Sequence, residues 1–371
     1  MPREISEESF KIPGYVQHLV DNNWLGSKSG QGFYKKTKDA KGKRNIQVLD
    51  LKTLEYRDQE KIKYATLEAA KQVDDLKPRT KLLFNGKDEA GDFYRKIFTD
   101  VFSYVSYRIP EISDEIYRID DALRAGFGWE LGAFESWDAI GIKEASEIAK
   151  ERGHNVADWV GDMLEAGHDS FYRVVNSTRE CYDPVSKTYK VIPGQDGRVN
   201  LEYVGDDKVV WSNSGTTIKD IGDGILNIEF HTKMNSIGGE VLQGLNKAID
   251  LAEESYRGLV VSNNGANFSA GANVGMIFML AVEQEWEELD GAVKYFQDTM
   301  MRMRYSGIPV IAAPHNMALG GGCELCLHAD KVVAHAETYM GLVEFGIGVI
   351  PAGGGTKEFV LRLSDSLKEG D

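Results

Sequence analysis

The stretch "HNMALGGGCELCLHAD", residues 315–330, places three consecutive glycines directly before the run Cys-Glu-Leu-Cys, whose acidic residue has apolar neighbours on both sides. Glycine lets the backbone approach a ligand closely, and the residues that follow predict a helix whose first N–H groups lack intrahelical partners. Glu324 falls in the first turn of that helix, where the helix dipole favours a carboxylate. The stretch therefore indicates either a solvated helix cap or a loop that binds an oxygen atom of a ligand.

Short β-branched runs alternate with helical patterns on both sides of this stretch. The predicted strands are residues 224–230, 258–263, 308–314 and 331–336, and the predicted helices are residues 238–255, 284–305 and 322–329. Strand–helix–strand alternation is typical of parallel sheets, which carry their active residues at the carboxyl ends of the strands. We therefore expect the chemistry of this chain in its second half.

The first half has a different pattern and indicates a separate domain. Apolar residues at three- and four-residue spacing predict helices over residues 60–76, 89–108, 112–125, 143–151 and 155–166. The segment 183–210, rich in proline, glycine and polar residues, predicts a connector with short extended pieces. A chain of 371 residues with 42% hydrophobic content can fill two cores. We place a mainly helical domain at residues 1–199 and an α/β domain at residues 200–371.

Charge and cysteine content exclude several classes of partner. The formal net charge of −15 argues against nucleic-acid and anionic-membrane surfaces, which need an excess of clustered Lys and Arg. No apolar run is long enough for a membrane helix, and the first ten residues lack the apolar core of a signal peptide. Three cysteines are an odd, sparse set that fits a reducing compartment. We expect a cytoplasmic protein that binds a small molecule or another protein.

A second glycine-containing loop follows the predicted strand 258–263. It reads "NGANFSAGANVGM", and like the loop after strand 308–314 it leads into a predicted helix. Two such loops can direct two backbone N–H groups at one oxygen, which is how an oxyanion hole is built. Ordinary turn chemistry is the alternative for each loop taken alone.

A second carboxylate stands in the run "YMGLVEFGIGVIPAGGGT", residues 339–356. Glu344 is the only charged residue between Glu337 and Lys357. A lone carboxylate in so apolar a run either finds a partner or has a perturbed pKa, and both are typical of acid/base catalysts. Two carboxylates beside a pair of N–H donors predict proton transfer next to a carbonyl, through an enolate-like intermediate.

Three motifs, "NFSAGANV", "IPVIAAPHNMALGGGCEL" and "MGLVEFGIGVIPAGGGT", resemble the crotonase superfamily of enoyl-CoA hydratases and isomerases over roughly residues 205–371. The resemblance implies a crotonase-like ββα superhelix and an acyl-CoA ligand. It implies that the N–H groups of Ala272 and Gly321 hold the thioester oxygen, and that Glu324 activates a water while Glu344 protonates C2 of a trans-2-enoyl-CoA. Residues next to the substrate would be Ala270, Gly271 and Gly320. A family isomerase needs only one acid, so double-bond isomerisation is the alternative reaction.

The sequence departs from the family pattern at two places. Asn273 and Gly275 stand where the family often has aspartate and lysine, so the CoA phosphates need another cation. Lys233 is the candidate, and an ordinary surface lysine is its alternative interpretation. The sequence also stops at "LRLSDSLKEGD", where family members continue with helices that close the pocket and support trimers. We therefore expect an incomplete crotonase-like domain, for which a catalytically silent scaffold is an alternative role.

The first half also carries a resemblance. "VDNNWLGSKSGQGFYKK" (20–36) and "DALRAGFGWELGAFESWDAIG" (121–141) resemble the C-terminal helical modules of 3-hydroxyacyl-CoA dehydrogenases, with Ala133 where proline is usual. The glycine fingerprint of a dinucleotide fold does not occur. The resemblance thus implies an internal piece of a bifunctional β-oxidation protein whose NAD domain lies upstream. We expect no cofactor in this chain, and a homo-oligomer or a thiolase as protein partner.

Metal and redox chemistry have little support in the sequence. Cys323 and Cys326 have the spacing of a metal or redox pair, but no second Cys or His pair accompanies them at a zinc spacing. We predict that both are thiols in or near the core, and we predict no metal site.

Overall fold

The computed structural model describes residues 11–38 and 42–368. The first ten residues, for which the sequence predicts no signal-peptide core, and the last three residues of "LRLSDSLKEGD" lie outside this part. The chain divides into two compact units, Met1–Val175 with Arg179–Gly194, and Asn176–Thr178 with Gln195–Asp371. We refer to them as the N-terminal and the C-terminal unit and describe each by itself.

The N-terminal unit combines helices with two small sheets. Its helices are α1 (Gly14–Asp21), α2 (Ala65–Ala70), α3 (Leu76–Phe84), α4 (Glu89–Tyr107), α5 (Ile116–Phe127), α6 (Ala133–Ile140), α7 (Ile142–Glu151) and α8 (Asp158–Glu165). Its sheets are formed by β1 (Tyr34–Lys38), β2 (Arg44–Leu49) and β3 (Tyr56–Asp58), and by β4 (Tyr172–Val175), β5 (Thr178–Asp183) and β6 (Thr188–Val191).

Aromatic residues dominate the core of this unit. Trp137 and Phe102 are fully buried, and their rings stack with centroids 4.8 Å apart. Phe134 and Phe171 meet edge to face at 5.0 Å in the same cluster. Such contacts between α4, α6 and the chain entering β4 hold the helices against one another.

Two sequence predictions for this half need correction. The first is the absence of strands: besides its helices, this half contains two three-stranded sheets that the sequence pattern did not predict. Strand β1, "YKKTK", carries three lysines on exposed or half-buried positions and lacks an apolar stripe that would predict it. The predicted helix 60–76 is also wrong in extent: only Ala65–Ala70 is helical there, and a separate helix begins at Leu76, after the side chain of Asp75 accepts from the N–H of Lys77.

The C-terminal unit is built on a six-stranded sheet. Its strands are β7 (Val209–Ser212), β8 (Thr216–Asp220), β9 (Ile225–Phe230), β10 (Gly258–Val261), β11 (Val310–Ala312) and β13 (Lys331–Val332), in the order β13-β11-β10-β9-β8-β7. Helices α9 (Gly239–Ser255), α10 (Val274–Glu283), α11 (Trp286–Arg304), α12 (Gly321–His328) and α13 (Gly355–Lys368) accompany it, with the short strands β12 (Met317–Leu319) and β14 (Tyr339–Gly341). Strands β9, β10, β11 and β13 are parallel, which confirms the predicted strand–helix alternation.

A second layer of short extended segments positions the ligand-binding loops. Strands β12 and β14 pair in parallel, Ser269 bridges to Ala318, and Ala272 bridges to Ile237, also in parallel. The extended segments at residues 237, 269–272, 317–319 and 339–341 therefore run in the same direction. Because parallel segments end at the same edge, the loops that leave them meet there.

The connector predicted over residues 183–210 contains more regular structure than expected. It begins within β5 and includes β6, two short 3-10 turns at Leu201–Tyr203 and Asp206–Lys208, and the start of β7. Strands β7 and β8 form an antiparallel hairpin on β9 that the sequence analysis did not predict. Within the described part of the chain, no helix has both the length and the apolar character needed to cross a membrane.

Candidate active site

Two backbone N–H groups lie side by side where the extended segments end. A Cβ atom built on Gly271 would stand 3.2 Å from the nitrogen of Gly321, and one built on Gly321 would stand 3.1 Å from the nitrogen of Ala272. In the part of the chain that the structure describes, neither the N–H of Ala272 nor that of Gly321 donates to a protein acceptor. Two such amides at one position can bind a carbonyl oxygen and stabilise negative charge on it.

Backbone conformation makes glycine necessary at this point. Gly271 has φ +100°, and Gly320, with φ +51° and ψ −120°, precedes the first residue of α12. The side of Gly271 that a Cβ would occupy faces the carbonyl oxygen of Leu319 at 2.7 Å. Glycine thus permits the close approach of two backbone segments that places the Ala272 and Gly321 amides together.

Glu324 lies in the first turn of α12 with a side chain that is only 3% exposed. Its Oε1 atom accepts from the N–H of Gly355 at 3.0 Å. Burial raises the pKa of Glu324 above its ordinary value, the N–H of Gly355 opposes this, and the negative charge of Glu344 raises the pKa further. A buried carboxyl group with a raised pKa is typical of groups that transfer protons in catalysis.

Glu344 begins the short 3-10 turn Glu344–Ile347 that follows β14. Its carboxylate lies beside Gly320, where a Cβ would stand 3.2 Å from Oε1. The Oε2 atom is buried and has no hydrogen-bond partner among the described residues. A buried acceptor without a partner is costly, and such an atom is typical of a group that meets a ligand.

One cavity of about 380 Å³ joins these groups. Glu324, Glu344, Gly320 and the segment Ala270–Ala272 line it, and the rest of its wall is mainly apolar. The apolar side chains include Leu242, Val274, Ile277, Phe296, Ile347 and Ile350. An apolar cavity with a few convergent polar groups is the usual form of a small-molecule site.

Lys233 lies elsewhere. It is exposed in a 3-10 turn, Lys233–Asn235, and it does not line this cavity. Its neighbour Met234 accepts from the N–H of Ala270 through its carbonyl oxygen, at 3.1 Å. Its role toward the CoA phosphates thus stays a prediction.

The cysteines agree with their prediction as core thiols. Cys323 and Cys326 are free and buried, and burial raises their thiol pKa values to about 11 and about 12. Such thiols are largely protonated at neutral pH and therefore weak nucleophiles. Within the described residues, no three His, Cys, Asp or Glu side chains come together in a way that could hold a metal ion.

The sequence did not predict a role for the second glycine triplet, Gly353–Gly355. A Cβ on Gly353 would stand 2.4 Å from Oε2 of Glu324, and one on Gly355 would stand 2.8 Å from Cγ of the same residue. The triplet therefore packs its backbone directly on the Glu324 side chain. The three glycines are visible in the sequence shortly after Glu344. The carboxylate that they contact, however, is that of Glu324, about thirty residues earlier in the chain.

The C-terminal unit matches a known family along most of its length. Residues 220–367 match the family "Enoyl-CoA hydratase/isomerase". Over these residues the C-terminal unit is similar to enoyl-CoA hydratases and isomerases. Over 158 residues, 40% of this chain and 21% of the relative, the chain is also 30% identical to the fatty acid oxidation complex subunit alpha of Psychrobacter cryohalolentis.

Other relatives match almost the whole chain, including residues before the matched segment 220–367. Over 357 residues the chain is 42% identical to a Bacillus subtilis protein named "Probable 3-hydroxyacyl-CoA dehydrogenase", covering 96% of this chain and 44% of that protein. A Rickettsia prowazekii protein, whose name describes a fatty acid oxidation complex trifunctional enzyme, is 27% identical to this chain. The matched region covers 93% of this chain and 43% of the Rickettsia protein. The chain thus spans less than half the length of these relatives.

Among solved structures, the enoyl-CoA hydratase of Thermoplasma volcanium is 29% identical to this chain, with a TM-score of 0.36. The matched region covers 40% of this chain and 58% of the Thermoplasma chain.

Proposed function

We propose that the hydratase/isomerase domain adds water to trans-2-enoyl-CoA in fatty-acid β-oxidation. The observation that carries this proposal is that Glu324 and Glu344 line one apolar cavity beside the amides of Ala272 and Gly321. Names of relatives that refer to fatty acid oxidation support the pathway.

The proposed reaction assigns one task to each group. The thioester oxygen accepts hydrogen bonds from the N–H groups of Ala272 and Gly321, which stabilise the enolate that forms when oxygen adds to C3. Glu324 takes a proton from the attacking water, and the remaining hydroxyl bonds to C3. Glu344, protonated at the start, gives its proton to C2, so that H and OH are added across the double bond and the pair of carboxylates ends with the single proton it began with, now on Glu324.

Removal of either carboxylate tests this reaction. We expect Glu324→Gln and Glu344→Gln each to lower the rate of crotonyl-CoA hydration by about 10² to 10⁴, the usual loss for a general acid or base. The measurement is the loss of the enoyl-thioester absorbance after crotonyl-CoA is added. Glu337→Gln serves as control, because Glu337 is exposed and outside the cavity. Rates that stay within a few-fold of the parent rate in both variants would rule out the paired-carboxylate mechanism.

A second candidate reaction is isomerisation of 3-enoyl-CoA to 2-enoyl-CoA. It is favoured by the difference between the carboxylates: Oε1 of Glu324 accepts from Gly355, whereas Oε2 of Glu344 has no partner among the described residues. Glu344 alone could then move a proton between C2 and C4. An isomerase requires that Glu324→Gln retains isomerisation while Glu344→Gln loses it; a hydratase requires that both variants lose hydration.

Failure of the parent chain to bind acyl-CoA at millimolar concentration would favour the scaffold role.

For the N-terminal unit we propose the role of a 3-hydroxyacyl-CoA dehydrogenase C-terminal-type helical region in a longer bifunctional protein. The name of the Bacillus subtilis relative supports this proposal. We also propose that this unit holds no NAD; the antiparallel pairing of β1 with β2, β2 with β3 and β5 with β6 supports this, since the dinucleotide-binding fold is built on parallel strands. We assign NAD to a separate domain of such a protein, and propose a cytoplasmic location with a homo-oligomer or a thiolase as partner.

A further inference from the structure

A cluster of charged side chains around one buried carboxylate lies behind the Gly353–Gly355 loop, outside the cavity. Its centre is Glu358 on α13, whose side chain is 0% exposed. Oε2 of Glu358 is 2.6 Å from Nη1 of Arg304, the last residue of α11, and Oε1 is 3.0 Å from Nζ of Lys357. A carboxylate buried this deeply is tolerated only when cations compensate it.

The cluster reaches Glu324 along two routes. On the first, the buried ring of His328 on α12 packs against Glu358, with Nε2 3.6 Å from Oε1 and no hydrogen bond between these two atoms. Its Nδ1 atom donates to the backbone oxygen of Glu324 at 2.7 Å. On the second, the N–H of Glu358 donates to the carbonyl oxygen of Gly354 at 3.0 Å. Gly354 thus belongs both to the loop that contacts the Glu324 carboxylate and to the first turn that Glu358 anchors.

The geometry leaves the glycine loop little freedom to shift. Gly354 has φ +97°, and a Cβ on it would stand 3.3 Å from Cε1 of His328. On the other side, Arg362 of α13 donates to the carbonyl oxygens of Leu327 and Ala329, which ties the same helix to the end of α12. The loop is therefore held between a buried ion cluster and the carboxylate it covers.

We propose that Glu358, held by Arg304 and Lys357, is a positioning residue that fixes the Gly353–Gly355 loop against Glu324 and so keeps this carboxylate buried and aligned for proton transfer. The effect on turnover rests on the function proposed above. The effect on Glu324 itself does not, because it follows from burial and contact alone.

Substitution Glu358→Gln tests the proposal, since glutamine keeps the shape of the side chain and removes the charge that pairs with Arg304. We expect kcat for crotonyl-CoA hydration to fall by about 10²-fold, as for other small misplacements of catalytic groups. KM should change little, because Glu358 does not line the cavity. We further expect the pKa of Glu324 to move down toward its ordinary value, because a displaced loop admits water and removes the burial that raises it.

The pKa of Glu324 can be measured directly by ¹³C NMR titration of its carboxyl group, assigned with Glu324→Gln. The matched control is Glu253→Gln, which also breaks an arginine pair, since Glu253 binds Arg302 at 2.8 Å. Because this pair joins α9 and α11 away from the glycine loop, Glu253→Gln should leave both kcat and the Glu324 titration unchanged.

Each result decides between positioning and mere stabilisation. A folded Glu358→Gln protein whose kcat and Glu324 titration match those of Glu253→Gln overturns the proposal. If Glu358→Gln does not fold, Arg304→Lys keeps the charge and loses the guanidinium geometry, and an unchanged Glu324 titration in that variant overturns the proposal as well. If the parent chain does not hydrate crotonyl-CoA, the proposed function fails, while the NMR titration still decides whether Glu358 positions Glu324.

Discussion

At the scale of single residues, the two glutamates of the cavity have different surroundings. Glu324 is buried and accepts from a backbone N–H, whereas Glu344 is partly exposed with one oxygen that has no partner among the described residues. Equal residue types thus acquire unequal chemistry, as is usual for acid/base pairs. Burial raises the pKa of Glu324 above its ordinary value.

This difference predicts the acidic side of the pH–rate profile. If Glu324 must be ionised to accept a proton, kcat/KM rises as pH passes through its raised pKa. We expect that rise at a pH above the ordinary glutamate value of about 4.3. Because the pKa of Glu324 is higher in the folded than in the unfolded state, the folded state binds its proton more tightly. The stability that this carboxyl group contributes is therefore lost as pH rises from its unfolded-state pKa through its folded-state pKa.

A pH–rate profile with crotonyl-CoA, taken over the range in which the protein stays folded by circular dichroism, measures that rise. A midpoint at or below the ordinary glutamate value would contradict the role of Glu324 as a buried base.

Residues were predictable from sequence where the signal is local. Glu324, Glu344 and the glycines before α12 stand out because charge is rare and glycine frequent in their neighbourhoods. Glu358 was not predictable, because it lies in the charged stretch "TKEF", where a carboxylate normally faces water. Only the folded chain brings Arg304 to it, from more than fifty residues away.

At the scale of elements, four short parallel segments do the positioning. The loops that leave them carry Ala272, Gly321 and Glu344, and the segments approach so closely that Gly271 has no room for a side chain. A site built on extended segments is held more firmly than one built on free loops.

Gly271→Ala tests this closeness. A methyl group would meet the Leu319 oxygen at 2.7 Å and would require φ +100°, so the segments must separate. We expect hydration to fall by about 10² to 10³, as for loss of one oxyanion-hole donor. Gly291→Ala is the matched control, because a Cβ there meets nothing within 4 Å. Comparable rates for the two alanine variants would show that the site tolerates separation of the segments.

Elements were predictable where an apolar pattern marks them. The parallel strands of the C-terminal unit are short β-branched runs, and the helical stretches that alternate with them along the chain predict parallel pairing. Strands β12 and β14 have three residues each and were missed, because pairing with neighbours defines them rather than composition. The two sheets of the N-terminal unit were missed for a similar reason, since polar side chains cover much of their surface.

At the scale of the whole molecule, each unit has its own hydrophobic core. The buried clusters around Trp137 in the N-terminal unit and around Leu245 in the C-terminal unit have no described residue in common. Separate cores allow the stability of one unit to change while the chemistry of the other persists.

Trp137→Ala tests this independence. Removing a fully buried tryptophan that stacks on Phe102 should lower the stability of the N-terminal unit by about 3 to 5 kcal/mol. We expect a lower first transition in thermal unfolding, with kcat for hydration unchanged below that temperature. Leu245→Ala, in the core of the C-terminal unit, should instead lower the temperature of the transition in which hydration activity is lost. Loss of hydration together with the first transition of Trp137→Ala would show that the units depend on each other.

The unpaired amides of Ala272 and Gly321 also make the cavity visible to spectroscopy. Helix α12 is buried along its whole length, so we expect its hydrogen-bonded amides, such as that of Glu324, to be protected from hydrogen exchange, whereas the amide of Gly321 lacks an acceptor within the described chain. An acyl carbonyl in the cavity would supply that acceptor to both amides at once. Their exchange rates therefore report occupancy of the site, independently of whether any bond in the bound molecule is made or broken.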